Sequence, residues 1–519
     1  MNLLLVTLFA CGGADTGDAE GARLPRPIEP RFEPAPTVLV IVVDTLTRRH
    51  LGPWLEGDGT AGWDTTPRLD AFFQQSTVLA DTQVVRGLTG VSVSSITTGT
   101  WPRVHGVRDN RDWKQPWNRM LPELFQAQGY TTLGYSANTC QFIDRGIDER
   151  NCTWIWEHPD GFDGQVDRDI TLVDQLVSDL ASKPADEPLF LWLHLIDPHD
   201  PFNPVDRWYD ELHPEEYTGE LDPEDPSMLD AWILAETELS EEEQRHLEAV
   251  YASQVRETDN QIGRVLDALA ESGRYEEAVI LFTSDHGEEL GAHNGYFFHG
   301  CSPYQQTMQV ASAIRAPGRL PQGLVVDTAI RSVDLAPTLA DVAGIGWEDF
   351  RDGESLVDEL VAGEVSERPA FFERSLSTAG VVYAGHRYIL DVNEGFSECK
   401  PYDVGDGIFP NEREELYDHA ADPEEQDDIA DQDPETLAML RELTCQWVTE
   451  DTWFAYKADE THPLVTACRA VLPAEEGDEP AKGCAAAGSA ATGLLAAAGL
   501  LLGLRRRAQR PVSLPMPKS

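Results

Sequence analysis

Basic residues are scarce in this chain of 519 residues. It carries 39 Lys and Arg against 91 Asp and Glu, a formal net charge of −52 at pH 7. Such a negative surface repels phosphate backbones and anionic headgroups, which argues against nucleic acid and acidic lipid as partners. Most of these carboxylates are expected to form a solvated acidic surface suited to a salty or calcium-rich exterior. An anionic substrate would therefore need a local positive charge, which a bound cation can supply.

Cysteine is also sparse, and no pair shows the CxxC or CxxH spacing of a zinc site. Of the eight cysteines, Cys11 and Cys484 are assigned to processing of the chain ends. The other six are an even number, which in an exported chain suggests disulfides. They are Cys140, Cys152, Cys301, Cys399, Cys445 and Cys468. A short loop separates Cys140 from Cys152, so these two are predicted to pair. Free buried cysteines are the alternative.

The N-terminal segment is predicted to be a targeting signal. Residues 1–11 form a short apolar run that ends in Cys11. This run resembles the signal of a bacterial lipoprotein, in which the Cys is lipidated, although it lacks a basic start. Residues 12–36 are polar and rich in Gly, Asp and Pro, which favours a flexible linker.

The C-terminal segment predicts a second anchor. After a linker at residues 471–484, residues 485–507 combine twenty uncharged residues with a cluster of three arginines, and residues 508–519 form a polar tail. The apolar part is long enough to span a bilayer. It resembles the sorting tails of surface proteins in myxobacterial-type cells, and an Ala-rich helix in a soluble core is the alternative. We expect membrane anchoring at one or both termini and a location in the cell envelope or at the cell surface.

Three apolar runs are predicted to be buried strands of a parallel sheet. They begin at residues 37, 189 and 278. Their ends carry Asp44, His194 with Asp197 and His199, and Asp285 with His286. Ligands of open α/β sheets bind beyond the carboxyl ends of the strands, so these side chains are candidates for metal binding or acid–base chemistry. One such Asp is usually a helix cap or a turn residue. Three polar strand ends together favour one shared site.

The rest of the pattern predicts the fold class. Helical spacing recurs between the strands, at residues 66–75, 121–128, 170–180 and 240–269. Alternation of strands and helices predicts a doubly wound α/β domain over residues 37–345, with a largely parallel sheet sandwiched by helices. Two hairpin strands, at residues 381–383 and 388–392, and a helix at residues 434–448 follow. They predict a smaller C-terminal α+β subdomain over residues 346–470.

An ordered set of short motifs resembles the sulfatase family of the alkaline phosphatase superfamily. The motifs are residues 41–46, 66–70, 98–102, 105–110, 194–199, 259–263, 283–288, His299 with Tyr304, residues 315–318 and residues 415–418. The likeness runs from about residue 37 to residue 437 and implies an alkaline phosphatase-like fold. It also implies an anionic sulfate or phosphate ester as substrate and one divalent metal ion. Ca²⁺ is the usual ion of the family, with Mg²⁺, Mn²⁺ or Zn²⁺ as alternatives.

The nucleophile position departs from the family pattern. Sulfatases carry Cys or Ser there, followed by x-Pro-Ser-Arg, and an enzyme oxidises this residue to formylglycine. Counting back from Thr98 and Gly99 places Thr89 at this position and Val93 at that of the Arg. Thr45 also stands where many sulfatases have a second Asp. A Thr nucleophile resembles the superfamily's phosphodiesterases and its phosphoethanolamine or phosphoglycerol transferases, which use a Thr alkoxide on a metal ion.

These observations predict a metal-dependent hydrolase of sulfate or phosphate esters that works outside the cytoplasm. The predicted metal ligands are Asp44, Thr89, Asp285 and His286. Thr89 is the predicted nucleophile, near the N-terminus of a helix whose N–H groups would favour an anionic ester. The other predicted catalytic residues are His199, His299 and His194. Two alternatives are a Thr-dependent phosphodiesterase or phosphoryl-group transferase, and a catalytically lapsed surface binding protein.

Overall fold

The structure is a computed structural model that describes most of the chain between residues 35 and 472. The described residues are 35–54, 63–152, 165–212, 217–219, 221, 239–293, 296–347, 351–374, 377–392, 413–450 and 463–472. The predicted signal at residues 1–11 and the predicted tail at residues 485–507 lie outside them. None of the helices in the described ranges combines the length and the hydropathy that a membrane span requires.

A nine-stranded sheet runs through the centre of the described part of the chain. Its strands are β1 Val38–Val43, β2 Thr77–Gln83, β3 Thr131–Ser136, β4 Glu149–Cys152, β5 Leu189–Leu195, β6 Val279–Ser284, β7 Gln309–Arg315, β8 Val325–Val326 and β9 Ile330–Arg331. Their order is β4-β3-β5-β1-β6-β7-β2-β8, and β9 also pairs with β2. The strands β4, β3, β5, β1 and β6 are parallel, whereas β7 is antiparallel to both of its neighbours. The predicted largely parallel sheet is confirmed.

Both faces of this sheet are covered, as its sequence pattern requires. In the described ranges up to residue 362, the α-helices are α1 Pro67–Phe73, α2 Thr89–Thr98, α3 Pro102–His105, α4 Leu121–Ala127, α5 Gln165–Ser182, α6 Asp206–Leu212, α7 Glu241–Glu271, α8 Gln305–Met308, α9 Leu335–Val342 and α10 Val357–Ala362. Side chains alternate along a strand, so Leu39 and Ile41 enter one core while Val38 and Val40 enter the other. Residues of α1, α5 and α7 complete the first core. Residues of α2, α4 and α9 complete the second.

A four-stranded antiparallel sheet follows, as predicted for the C-terminal part. Its strands are β10 Ala370–Arg374, β11 Thr378–Tyr383, β12 His386–Asp391 and β13 Arg413–Asp418, in that order. The β11–β12 hairpin is longer than predicted and turns through Ala384 and Gly385, both with positive φ (55° and 73°), as a tight two-residue turn requires. Two helices complete this part, α11 Pro434–Thr449 and α12 Pro463–Val471.

Disulfides tie together loops and helices in both parts. Cys140 and Cys152 are bonded with a Cα–Cα distance of 5.6 Å, which confirms the predicted pair. Cys445 of α11 and Cys468 of α12 are bonded with a Cα–Cα distance of 4.8 Å. Cys301 is also disulfide-bonded. Such bonds form in oxidising compartments, which agrees with an exported chain.

A buried ion pair links the two sheets. The side chain of Arg387, on β12, is completely buried, and its Nε lies 2.6 Å from Oε1 of Glu425, which is buried too. Nη2 of the same side chain donates to Oε1 of Gln83, on β2 of the large sheet, at 2.7 Å. Removal of one member of a buried pair leaves an uncompensated charge in a region of low dielectric constant.

We expect Arg387→Leu to lower the free energy of unfolding by about 3–5 kcal/mol, because Glu425 is left buried without its cation. Urea unfolding followed by circular dichroism measures this change. Adding Glu425→Gln should recover part of the loss, since it removes the uncompensated charge. Lys183→Met, which breaks the more exposed Lys183–Glu149 pair, should cost less than about 1 kcal/mol. Equal losses for the two single variants would contradict this account.

Candidate functional site

Two carboxylates and an imidazole meet where β1 and β6 end. The strands are parallel neighbours whose last residues, Val43 and Ser284, are in register. The next residues, Asp44 and Asp285, therefore leave the same edge of the sheet side by side. Both are completely buried, as is His286. One ligand atom from each of these three residues lies within 4.8 Å of the other two, so the three could hold one metal ion.

Burial makes this group electrostatically costly without a cation. Burial, with the Asp285 carboxylate adding to it, raises the pKa of Asp44 to about 7. Burial also raises the pKa of Asp285 to about 7. It lowers the pKa of His286 to about 4, so this imidazole is neutral near pH 7 and has a lone pair to offer. Oδ2 of Asp285 accepts no hydrogen bond from the described residues. Two oxygen ligands and one imidazole suit a divalent cation of the Ca²⁺, Mg²⁺, Mn²⁺ or Zn²⁺ class.

Neighbouring groups hold the three side chains in place. Oδ1 of Asp285 accepts hydrogen bonds from the N–H of Thr45 at 3.2 Å and from that of His286 at 2.8 Å. Thr45 has φ of 56°, a conformation that costs a β-branched residue strain, and so presents its N–H to this carboxylate. Oδ2 of Asp44 accepts from Nδ2 of Asn138 at 3.0 Å. Nδ1 of His286 lies 3.0 Å from the carbonyl oxygen of Gly287, which leaves Nε2 facing the two carboxylates.

The hydroxyl of Thr89 lies against this group. Thr89 is the first residue of α2, and its Oγ1 is 3.4 Å from Oδ1 of Asp44 and 3.4 Å from Nε2 of His286. Thr89 thus lies at the N-terminus of a helix, as predicted. The N–H of Gly90, the second residue of α2, donates to Oδ1 of Asn110 at 2.7 Å.

The predicted histidines surround the same group. His194, on β5, is buried with Nε2 3.7 Å from Oδ2 of Asp44, and burial lowers its pKa to about 3. The ring of His299 lies 4.6 Å from that of His286 and 4.9 Å from that of His199. Burial, with the neighbouring His286 and His199, lowers the pKa of His299 well below its usual value. The structure therefore brings all of the predicted site residues together.

His199 differs from the other histidines in exposure and charge. About a fifth of its side chain, 22%, is exposed, whereas His194 is completely buried. Burial opposes its protonation, but the carboxylates of Asp200 and Asp44 outweigh burial and raise the pKa of His199 well above its usual value. Nδ1 of His199 lies 2.7 Å from the carbonyl oxygen of Asp200, which fixes the ring. This imidazole can hold a proton near neutral pH, as a proton donor must.

Comparison with known proteins identifies the family. The model of the family described as Sulfatase matches residues 36–345 of this chain. The chain belongs to the sulfatase family.

Several relatives show the range of the likeness. An arylsulfatase of Clostridium perfringens is 30% identical over 42% of this chain and 46% of its own length. This chain thus matches less than half of that relative. A choline-sulfatase of Rhizobium meliloti is 25% identical over 79% of this chain and 86% of its own. A protein solved with its substrate D-glucosamine-2-N,6-O-disulfate shares the fold at a TM-score of 0.63 and 19% identity, covering 83% of this chain and 99% of its own.

The structure of this sulfatase-family protein adds residues that the sequence analysis did not identify. Asn138 binds Asp44, Asn110 binds the N–H of Gly90, and Glu288 lies 2.9 Å from Nδ1 of His299. Asn110 and Glu288 lay inside recognised motifs but carried no assigned role. Asn138 follows β3 at the same sheet edge as Asp44, and the strand-end argument would have found it had β3 been predicted as a strand.

We expect Asp285→Asn in this sulfatase-family protein to be more stable than the parent without metal and less stable than the parent with metal. In chelator, the variant should be more stable to heat than the parent, because one of two adjacent buried carboxylates is gone while Oδ1 can still accept its two hydrogen bonds. With added Ca²⁺, Mg²⁺, Mn²⁺ or Zn²⁺, the parent should gain about 2.7 kcal/mol at a hundred times Kd, and the variant almost nothing. Differential scanning calorimetry measures both.

Asp169→Asn is the matched control for this experiment. Asp169 is also buried, but its carboxylate accepts hydrogen bonds from the N–H groups of Ile196 and Asp197 and lies outside the metal-ligand group. This variant should keep the metal-induced gain in stability. A full metal-induced gain in Asp285→Asn would refute a cation site at this position.

Proposed function

We propose that this sulfatase-family protein hydrolyses sulfate or phosphate esters, with one divalent cation at Asp44, Asp285 and His286 and with Thr89 as nucleophile. The position of Thr89 carries the proposal. Its hydroxyl oxygen lies 3.4 Å from a carboxylate oxygen of Asp44 and 3.4 Å from Nε2 of His286. A purely local structural role for Thr89 would not explain why its hydroxyl lies among buried candidate metal ligands.

The residues divide the chemistry between them. When bound, the cation would supply positive charge that favours the ionised hydroxyl of Thr89 and an anionic ester. The ionised Oγ1 of Thr89 forms a bond to sulfur or phosphorus while the bond to the leaving oxygen breaks. His199, whose pKa is raised, donates a proton to that oxygen. Water then forms a bond to sulfur or phosphorus as the bond to Oγ1 of Thr89 breaks, and a proton of this water returns to His199.

His299 and His194 have supporting parts in this proposal. His299 is held at Nδ1 by Glu288 and lies ring to ring with His199, so it is the second candidate for proton transfer to the leaving group. His194 contributes a neutral imidazole beside Asp44, because burial lowers its pKa to about 3. A neutral ring there can donate a hydrogen bond to an anionic ester through its one N–H.

A Thr nucleophile affects which ester is preferred. A formylglycine hydrate has a second hydroxyl that can expel sulfate, and a Thr ester has none. Phosphate esters should therefore be turned over at least as well as sulfate esters. Transfer of the group to another hydroxyl instead of water would make the protein a phosphodiesterase or a transferase. This alternative uses the same residues and differs only in the acceptor.

The remaining alternative is a lapsed enzyme that binds esters without turnover. The occupied N–H of Gly90 and Val93 at the position of the family's Arg favour it. The survival of two carboxylates, four histidines and a hydroxyl in one buried group favours the enzyme.

The disulfides Cys140–Cys152 and Cys445–Cys468 support a location outside the cytoplasm, in the cell envelope or at its surface. Anchoring through the termini is part of this proposal.

Thr89→Ala should reduce kcat by several orders of magnitude, as loss of a nucleophile does, while fold and metal binding are retained. The measurement is turnover of paired aryl sulfate and aryl phosphate esters with each divalent cation. Thr89→Ser should keep part of the activity, because the hydroxyl remains. Ser94→Ala is the control for disturbance of α2, since Ser94 is also buried there and its hydroxyl donates to the carbonyl oxygen of Gly90 within the helix.

Two results would defeat the proposal. One is full activity in Thr89→Ala, which would show that another group attacks the ester. The other is a parent protein that binds metal yet turns over neither ester with any of the four cations, which would leave the binding-protein alternative.

A further inference from the structure

Two tryptophans of one loop are exposed on the surface. Trp113 and Trp117 lie between α3 and α4, and 60% and 54% of their surfaces are accessible to solvent. Single exposed apolar side chains are common and need no explanation. The surroundings of Trp113 distinguish it, because its loop is both rigidly held and next to the candidate site.

Hydrogen bonds hold the backbone on both sides of Trp113. After it, the side chain of Lys114 is 2% exposed, and its Nζ donates to the carbonyl oxygens of Gln141 and Phe142 at 3.2 and 3.1 Å. Before it, the carbonyl oxygen of Asp112 accepts from Nε2 of Gln141 at 2.6 Å. The turn that contains Gln141 and Phe142 therefore binds the residues on both sides of Trp113. The indole between these two residues is 60% exposed to solvent.

The same loop and turn reach the candidate site. Asn110, three residues before Trp113, accepts from the N–H of Gly90, which follows Thr89. Its Cα is therefore at most ~11 Å from that of Trp113, since three peptide units cannot span more. The ring of Phe142 lies 6.3 Å from that of His194. Loop and turn thus both contact residues of the site, and the exposed Trp113 belongs to this loop.

The two ends of a bound ester would contact different regions, one end the buried site and the other the loop that carries Trp113. Its anionic group belongs with the buried polar residues around Thr89, so its leaving group must extend toward solvent. An indole offers a rigid apolar face on which aromatic and sugar rings stack. We propose that Trp113 is a specificity-determining residue that stacks against a ring in the leaving group, which selects ring-bearing esters over small alkyl esters. This inference rests on the proposed function.

The test compares 4-methylumbelliferyl and ethyl esters, as sulfate or phosphate, in four proteins: the parent, Trp113→Ala, Trp113→Phe and Trp117→Ala. Trp113→Ala should lower kcat/KM for the ring-bearing ester by about three- to tenfold, mainly through KM, and leave the ethyl ester unchanged. Trp113→Phe should retain most of the activity. Trp117→Ala is the matched control and should change neither ester. Equal losses for the two esters, or equal losses in the two Ala variants, would overturn the inference.

A binding measurement separates this inference from the proposed function. In a Thr89→Ala background, which should not turn over, calorimetry would give the Kd of the 4-methylumbelliferyl ester with and without Trp113→Ala. A three- to tenfold weakening supports the stacking role even if the parent proves inactive. No weakening, or no binding of this ester at all, overturns it.

Discussion

Two carboxylates buried side by side impose the constraint on which the site depends. The parallel register of β1 and β6 places Asp44 and Asp285 next to each other, and burial raises the pKa of each to about 7. The sheet cannot separate them, because residues of both strands fill the cores on its two faces. A positive charge between them is the simplest way to keep both ionised. The N–H of the strained Thr45 and the amide of Asn138 also stabilise the ionised carboxylates, since each donates a hydrogen bond to one of them.

The rest of the site follows from the topology of the sheet. Segments that leave β1, β3, β5 and β6 at one edge carry Asp44, Asn138, His199, and Asp285 with His286. Such convergence is the usual origin of binding sites in open α/β sheets. Helix α2 then adds Thr89 from outside the sheet. The outer side of the site comes from loops, and loops are where members of a family differ in the substrates that they accept.

The sequence predicted the parts that depend on local pattern. Apolar runs marked β1, β5 and β6, and the polar residues after them identified the site. The predicted helix at residues 240–269 is α7, which starts with a capping box of Ser240 and Glu243. The features that the sequence did not predict depend on tertiary contacts. The run that forms β3 contains Gly134 and several hydroxyl residues, so it lacked a strand signal and Asn138 was overlooked. The partner of the Gly90 N–H is Asn110, twenty residues away, and no local rule pairs them. The terminal segments keep their status as predictions.

The central claim is that one cation joins Asp44, Asp285 and His286 to the hydroxyl of Thr89. A crystal of the full-length chain grown with Mn²⁺, with anomalous scattering recorded at the manganese edge, tests it most directly. The account predicts one strong peak within about 2.0–2.6 Å of an oxygen of each carboxylate, Nε2 of His286 and Oγ1 of Thr89. A manganese peak at another position, or one at these carboxylates with the Thr89 hydroxyl turned away, would contradict the account.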